Sequence, residues 1–223
     1  MGTTTDSPGQ PASSPGTGAP RAPSTLPDIA ARIGEVRDEI GAYVGGLAAD
    51  DLFHRVPGVW APIDDLRHLV RVNAALAKGL GLPGWMLRLR FGRPARGAWS
   101  YARLTTLYDA LLSTGAKAPT AYVPPQGLVA DRDAYRARTL ERWRGVNEQL
   151  LRRVEQLSER GADRAALPHP GLGLLSLREM LFFTIHHDLH HLAVARRRVA
   201  DRAAVGEEPA PSPLPKARNR VDL

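Results

Sequence analysis

Apolar residues recur every three or four positions along four segments of this chain, and this period constrains the fold more than any other feature. The first segment runs from Pro27 to Ala48. Its apolar stripe consists of Ile29, Ile33, Val36, Ile40, Val44 and Leu47. Residues at this spacing line one face of an α-helix, which is buried against another element. No segment shows the alternation and turn signals of a strand, so the pattern predicts helices alone.

The other three segments also have recognisable helix ends. They are 62–80, 130–159 and 176–199. Pro62 stands in the first turn of the second helix, where proline is tolerated, and Gly81 and Pro83 end that helix. The fourth helix begins at Ser-Leu-Arg-Glu, from Ser176 to Glu179, which matches a capping box.

A long connection, 82–129, separates the second helix from the third and contains a further predicted helix near 101–113. Four long amphipathic helices with one long crossover predict an all-α fold, a four-helix bundle. Residues 1–24 contain almost no large apolar side chain, and 203–223 combine several prolines with mixed charge. Both tails are predicted to be disordered, because they cannot bury enough surface to offset the entropy of ordering. The folded domain is therefore expected over 25–202.

The chain contains no cysteine, which excludes disulfides, thiolate zinc sites and a cysteine nucleophile. The first residues lack the apolar core of a signal peptide, and no stretch approaches the roughly 20 apolar residues of a membrane span. We therefore expect a cytoplasmic protein.

The net charge is +7, and it comes mostly from arginines spread over several helices and the C-terminal tail. This spread favours a compositional origin over a nucleic-acid-binding face. Residues 85–93 mix arginine with aromatic residues, a pattern typical of an anionic partner and equally of a short helix or loop flanking a pocket. The second alternative is favoured, so neither nucleic acid nor a membrane is expected as a partner.

Four of the seven histidines lie in one run of the fourth helix, between Ile185 and Leu192. The run contains two i,i+4 pairs: His187 with His191, here the inner pair, and His186 with His190, here the outer pair. Two histidines at this spacing lie one turn apart on one face, where they can bind a single ion.

A helical wheel distinguishes the two pairs. The inner pair falls on the shoulder of the apolar arc, whereas the outer pair falls beside Glu179 and Arg197, on the side expected to face solvent. On the second helix, His68 also falls on the inward shoulder. A single metal ion would satisfy the nitrogens of three buried imidazoles at once. The residues therefore predict a divalent-metal site on His68, His187 and His191, with ordinary hydrogen-bonded core histidines as the alternative.

Five further residues are candidates for supporting roles. Asp188 and Asp65 lie close to a predicted ligand on their wheels, so each is a candidate to orient a ligand. For Asp65 the favoured alternative is a first-turn carboxylate that interacts with the helix dipole. His169 is expected to close a turn rather than approach the metal, His54 to lie on the surface, and Trp60 to pack at the start of the second helix.

These motifs together resemble the DinB superfamily. Trp60 followed eight residues later by His68 resembles the family's second-helix signature, and His187-Asp-Leu-His-His191 resembles its C-terminal HxxxH. His169-Pro-Gly-Leu-Gly before Ser176 also resembles the start of that helix in many members. The resemblance covers roughly 26–200, and the sequence departs from the family pattern in its longer connection, rich in Arg and Trp.

The resemblance implies a four-helix bundle with zinc or nickel on His68, His187 and His191, and a homodimer. Some relatives are S-transferases that use bacillithiol or mycothiol, and others are mycothiol-dependent isomerases. Three imidazoles leave an open coordination position, as in catalytic sites. We therefore predict a metal-dependent thiol S-transferase or hydrolase acting on a small molecule, with a non-catalytic metal-binding or interaction bundle as the alternative.

Overall fold

The computed structural model describes residues 22–206 except 126 and 128. The described part of the chain is mainly helical, with one short hairpin. The helices are α1 Leu26–Gly46, α2 Ala49–Leu52, α3 Pro62–Leu80, α4 Gly84–Phe91, α5 Tyr101–Ser113, α6 Arg132–Glu155, α7 Glu159–Arg164 and α8 Leu177–Gly206, with a 3-10 turn at Thr120–Tyr122. The strands are β1 Ala166–His169 and β2 Gly173–Ser176.

Four helices, α1, α3, α6 and α8, form the bundle and enclose the core. Both α1 and α3 pack against α6 and α8. The α1 stripe is buried as expected from Ile29 to Val44, and Trp143 of α6 is buried in the same core. The Trp143 Nε1 donates a hydrogen bond of 2.9 Å to the Arg37 carbonyl, so the indole is satisfied as well as packed. The predicted all-α bundle is confirmed.

The hairpin is the main departure from the helical prediction. Strands β1 and β2 pair antiparallel, with Ala166 opposite Ser176 and His169 opposite Gly173. The prediction that the chain contains no strand was wrong here, because two strands of four residues are too short to show alternation. The hairpin is followed directly by α8, so it sets where that helix begins.

Helices α6 and α8 end at other residues than predicted. The predicted third helix stops early, since α6 ends at Glu155 and Ser158 caps the separate short α7. The capping box of α8 is present: the Ser176 amide donates to Glu179 Oε2 at 2.8 Å, and the Glu179 amide donates to Ser176 Oγ at 3.2 Å. Helix α8 continues to Gly206, past the predicted end and into 203–223. The remaining predicted disorder, in 1–21 and 207–223, lies outside the described residues.

The long connection 82–129 folds over the bundle instead of lying free. Helix α5 packs on α8, and the loop before it is attached by Glu179. Glu179 was expected to face solvent, but it is 1% exposed and accepts hydrogen bonds from Arg96 at 2.7 and 3.1 Å and from the Trp99 amide at 2.7 Å. The wheel prediction was wrong for this residue because the covering loop belongs to a distant part of the sequence. Within the described residues, no helix combines the length and hydropathy that a membrane crossing requires.

Candidate metal centre

Three histidines from two helices converge inside the bundle. His68 projects from α3, and His187 and His191 project from successive turns of α8. The Nε2 atoms of His68 and His187 are 3.2 Å apart, and one nitrogen from each of the three rings lies within 4.8 Å of the others. His68 and His187 are buried, whereas His191 is partly accessible. The structure thus brings together the three predicted metal ligands.

Two of the rings are oriented by hydrogen bonds on their far side. His68 Nδ1 donates to the Tyr122 carbonyl at 3.0 Å, and His191 Nδ1 donates to Asp65 Oδ1 at 2.7 Å. A carbonyl or carboxylate oxygen only accepts, so Nδ1 of each ring carries a proton. In this tautomer of the neutral imidazole, Nε2 keeps the free lone pair that binds a metal.

Asp65 links the cluster to the rest of α8. Its second oxygen accepts from Arg198 at 2.8 Å, and Arg198 also donates to the Trp60 carbonyl at 3.0 Å. Asp65 lies in the first turn of α3, as in the favoured alternative, and it is also buried and bonds His191, as in the other. Arg198 was not among the sequence candidates. The signal that could have identified Arg198 is its position two turns after His191 on the same face of the helix.

Asp188 occupies a buried position behind His187. Asp188 Oδ2 accepts from Asn73 Nδ2 at 2.9 Å, and Asn73 also bonds Asn147 at 3.2 Å. The other oxygen lies 3.7 Å from His187 Nδ1, which is too long for a hydrogen bond, and neither atom has a partner among the described residues. Burial raises the pKa of Asp188 to about 8, although the Asn73 hydrogen bond acts in the opposite direction.

Aromatic rings surround the three imidazoles. Trp60 lies nearly parallel to His191, with centroids 6.1 Å apart, and 5.1 Å from His68. Phe183 stacks on His187 at 4.9 Å. Burial, followed by the charge of His191, lowers the pKa of His68 to about 4, and burial also holds the pKa of His187 well below its usual value. Both rings are therefore neutral at pH 7, as metal coordination requires.

The donor set fits a divalent ion. Tetrahedral zinc bound by imidazole at 2.0–2.1 Å places ligand nitrogens roughly 3.3 Å apart. The 3.2 Å between His68 Nε2 and His187 Nε2 is close to this separation. Imidazole nitrogens suit zinc and nickel as ligands, and a set of three leaves a position for another molecule.

The outer pair lies against α5 instead of facing open solvent. His186 Nε2 and Asp109 Oδ1 are 2.7 Å apart, and the Tyr108 ring lies 5.9 Å from His186 and 6.4 Å from His190. The prediction that the outer pair faces solvent was wrong. Helix α5 covers this side of α8 and leaves both histidines half-buried. In the described part of the chain, only His68 and the inner pair form a group of three that can hold a metal.

Two further histidines, His169 and His54, lie where the sequence predicts them. His169 Nδ1 accepts from the amides of Gly171 at 3.2 Å and Leu172 at 3.0 Å, so this residue closes the hairpin turn as expected. Burial lowers the pKa of His169 to about 4. His54 is exposed, also as expected.

A four-helix bundle whose facing helices carry converging histidines defines a class of proteins that can hold a metal ion in the bundle core. The family model of the DinB superfamily matches residues 32–195. The chain therefore belongs to the DinB superfamily. It has no significant match among curated proteins or among solved structures.

Proposed function

We propose that this protein binds one divalent ion, zinc or nickel, on His68, His187 and His191, and transfers a low-molecular-weight thiol to a small electrophile. The observation that carries the proposal is the convergence of three imidazoles from α3 and α8, two of which burial keeps neutral at pH 7. A divalent ion held there supplies Lewis-acid chemistry that lowers the pKa of a bound thiol or water molecule.

The residues around the ligands keep the site organised for this task. Asp65 and the Tyr122 carbonyl hold His191 and His68 in one tautomer and one ring orientation. Trp60 and Phe183 cover the rings with apolar surface, which limits water and suits an apolar electrophile. His191 is the most accessible of the three ligands, so the substrate is expected to approach from its side.

The positions of the two carboxylates near the ligands favour thiol transfer over hydrolysis. Both oxygens of Asp65 already accept hydrogen bonds, from His191 and from Arg198, and Asp188 is buried behind His187. Neither carboxylate is therefore placed to take a proton from an attacking water molecule. A thiol has an unperturbed pKa of about 8.5, so it needs much less help to lose its proton.

The first test is the metal content of three purified proteins: the parent chain, the inner variant His187→Ala/His191→Ala and the outer variant His186→Ala/His190→Ala. About one equivalent of metal is expected in the parent and in the outer variant, and none in the inner variant. The outer variant is the matched control, since it removes the same side chains from adjacent positions of α8. A parent that contains no metal and takes up neither zinc nor nickel would contradict the proposal.

The second test is turnover by the metal-loaded parent. Monochlorobimane and a haloarene are offered with mycothiol, bacillithiol, glutathione and cysteine, and conjugation is followed by fluorescence or absorbance. Conjugation is expected with the parent and the outer variant, and loss of the catalysed rate with the inner variant. Hydrolysis of a test ester without conjugation would assign the site to a hydrolase, and metal binding without either reaction would support a non-catalytic bundle.

A further inference from the structure

Helix α4 presents an apolar stripe to solvent. Trp85 is 59% exposed and Leu89 is 81% exposed, and Leu82 and Met86 are 43% and 38% exposed. Trp85, Met86 and Leu89 lie on one face of α4, which a globular protein normally buries, and Leu82 lies just before the helix. On the opposite side of α4, Leu87 is completely buried and anchors the helix to the fold. The exposed stripe therefore lies on a helix whose inner face already has its packing partners.

Arginines border this stripe and extend it onto α7, which packs against α4. On the helical wheel, Arg88 and Arg90 fall on the two sides of the stripe. Arg93 follows in the next loop, and Arg160 and Arg164 lie on α7. In the part of the chain that the structure describes, none of these five arginines forms an ion pair with a carboxylate.

The arginines also lie close enough to influence one another. Burial is the first cause that lowers the pKa of Arg164, and the charges of Arg160, Arg93 and Arg88 lower it further. These charges come from two separate parts of the sequence, 88–93 and 160–164, so the fold itself brings them together. We call the apolar stripe and its bordering arginines the α4 patch. It consists of Leu82, Trp85, Met86, Leu89, Arg88, Arg90, Arg93, Arg160 and Arg164.

We propose that the α4 patch docks this protein on the surface of an anionic lipid bilayer. The exposed leucines, methionine and tryptophan would enter the boundary between headgroups and acyl chains, and the arginines would bind lipid phosphates. The protein then lies on the membrane without crossing it. This inference departs from the sequence-based expectation that no membrane is a partner.

Two other occupants fit the patch less well. A symmetric dimer would place the patch against its own copy, so that arginines without carboxylate partners would face one another and repel. Single-stranded nucleic acid gains affinity from aromatic stacking on bases, whereas three of the four apolar residues are aliphatic: Leu82, Met86 and Leu89. A bilayer satisfies both the aliphatic surface and the positive charge.

The patch is also separate from the metal centre. Leu80, the last residue of α3, is twelve positions after His68, which corresponds to about 18 Å along the helix. Variants in the patch are therefore expected to keep the metal site intact. Membrane docking and the proposed function can then fail or succeed independently.

The experiment is vesicle flotation with the full-length protein. Vesicles of equal parts phosphatidylglycerol and phosphatidylcholine are compared with vesicles of phosphatidylcholine alone. The protein is expected to float with the anionic vesicles and to be released by raised salt. Leu89→Glu is expected to lower the partition roughly tenfold or more, because it removes a large apolar side chain from the contact. Val56→Glu is the control, since Val56 is a 49% exposed apolar residue that precedes α3.

Two double variants that change the net charge equally distinguish the effect of the α4 patch from the effect of net charge. Arg93→Glu/Arg164→Glu is expected to lower the partition by roughly 30-fold or more, since each arginine near the surface contributes about fivefold. Arg138→Glu/Arg142→Glu changes the net charge equally on exposed positions of α6 and is expected to stay within about twofold of the parent. Equal losses in both variants would overturn a local docking site.

Tryptophan fluorescence gives an independent readout. Insertion of Trp85 predicts a blue shift when anionic vesicles are added, and Trp85→Phe is expected to abolish this shift while retaining vesicle binding. Equal binding to neutral vesicles would overturn the proposal, as would the absence of flotation. Two further results would also overturn it and identify another occupant: a dimer that Leu89→Glu dissociates, or an oligonucleotide complex that Leu89→Glu weakens without any vesicle binding.

Discussion

The inner and outer histidine pairs lie one residue apart on α8 and have the same spacing, yet they have different surroundings. The inner pair faces α3, where His68 completes a group of three. The outer pair faces α5, where it meets Tyr108 and Asp109. An HxxxH pair therefore becomes a candidate metal site only where the facing helix offers a third ligand.

The carboxylate contacts sharpen this comparison. Asp65 lies 2.7 Å from His191, and Asp109 lies 2.7 Å from His186. Asp65 is buried and also bound by Arg198, whereas the Asp109 side chain is 59% exposed. The contact between Asp65 and His191 therefore orients a largely buried ring, whereas the contact between Asp109 and His186 lies at the surface.

The largest effect is expected from removing the ligand that α3 contributes. His68→Ala leaves only the inner pair and is expected to weaken metal binding by more than 100-fold, the upper limit typical for a supporting residue. His190→Ala keeps all three ligands and is expected to stay within about twofold of the parent. Competition with a chromogenic chelator measures both. Equal losses in the two variants would mean that His68 has no special role.

Metal addition should stabilise the parent by several kcal/mol. Free zinc at a thousand times its Kd contributes about 4 kcal/mol to the free energy of unfolding, because only the folded chain assembles the three ligands. The outer variant His186→Ala/His190→Ala is expected to respond like the parent, and the inner variant His187→Ala/His191→Ala to show no metal-dependent rise in Tm. Thermal unfolding with zinc or EDTA measures the difference. A rise in the inner variant that matches the parent would place the zinc elsewhere.

A smaller effect is expected from the two carboxylates. Asp65→Asn weakens the acceptor for His191 Nδ1 and is expected to lower metal affinity by about 10- to 100-fold, as for other residues that orient a ligand. Asp109→Asn makes the same substitution beside His186 and should leave the affinity unchanged. The chelator competition applies here too. An unchanged affinity in Asp65→Asn would assign Asp65 a purely structural role.

The smallest effect concerns acid stability. The folded pKa of His169 is about 4, below the unfolded value of 6.5, so the unfolded chain binds more protons as pH falls between these values. His169 should therefore lower the free energy of unfolding as the pH falls below about 6.5, by roughly 1–2 kcal/mol at pH 5. His169→Asn retains an acceptor for the hairpin amides and should reduce this loss.

Denaturant titrations of both proteins at pH 7 and pH 5 measure the acid effect. Because His169 is not a ligand, its contribution should be the same with and without zinc, in contrast to that of His68 and the inner pair. An identical pH dependence of the free energy of unfolding in the parent and in His169→Asn would contradict a role of His169 in acid stability.

Much of the bundle could be predicted from the sequence because apolar spacing reports which helix face is buried. Helix α3 has the predicted bounds, and the α1 stripe is buried from Ile29 to Val44. The hairpin at 166–176 could not be predicted, since its strands are too short for a periodic signal. The burial of Glu179 could not be predicted either, because a helical wheel considers only the residues of one helix. The partner that covers Glu179 is Arg96, which lies in a loop 83 positions earlier in the chain.

Apolar spacing along the chain was enough to predict the bundle helices and which histidines of α8 point inward, and the motifs were enough for the family resemblance. Tertiary packing brings His68 within a few ångströms of the inner pair, lets Asp65 and the Tyr122 carbonyl orient two of the rings, and covers the outer pair with α5. It also decided that the α4 stripe faces solvent beside arginines from α7. The physical reason is that periodicity is a property of neighbouring residues. Coordination, desolvation and surface charge depend instead on residues brought together from distant segments.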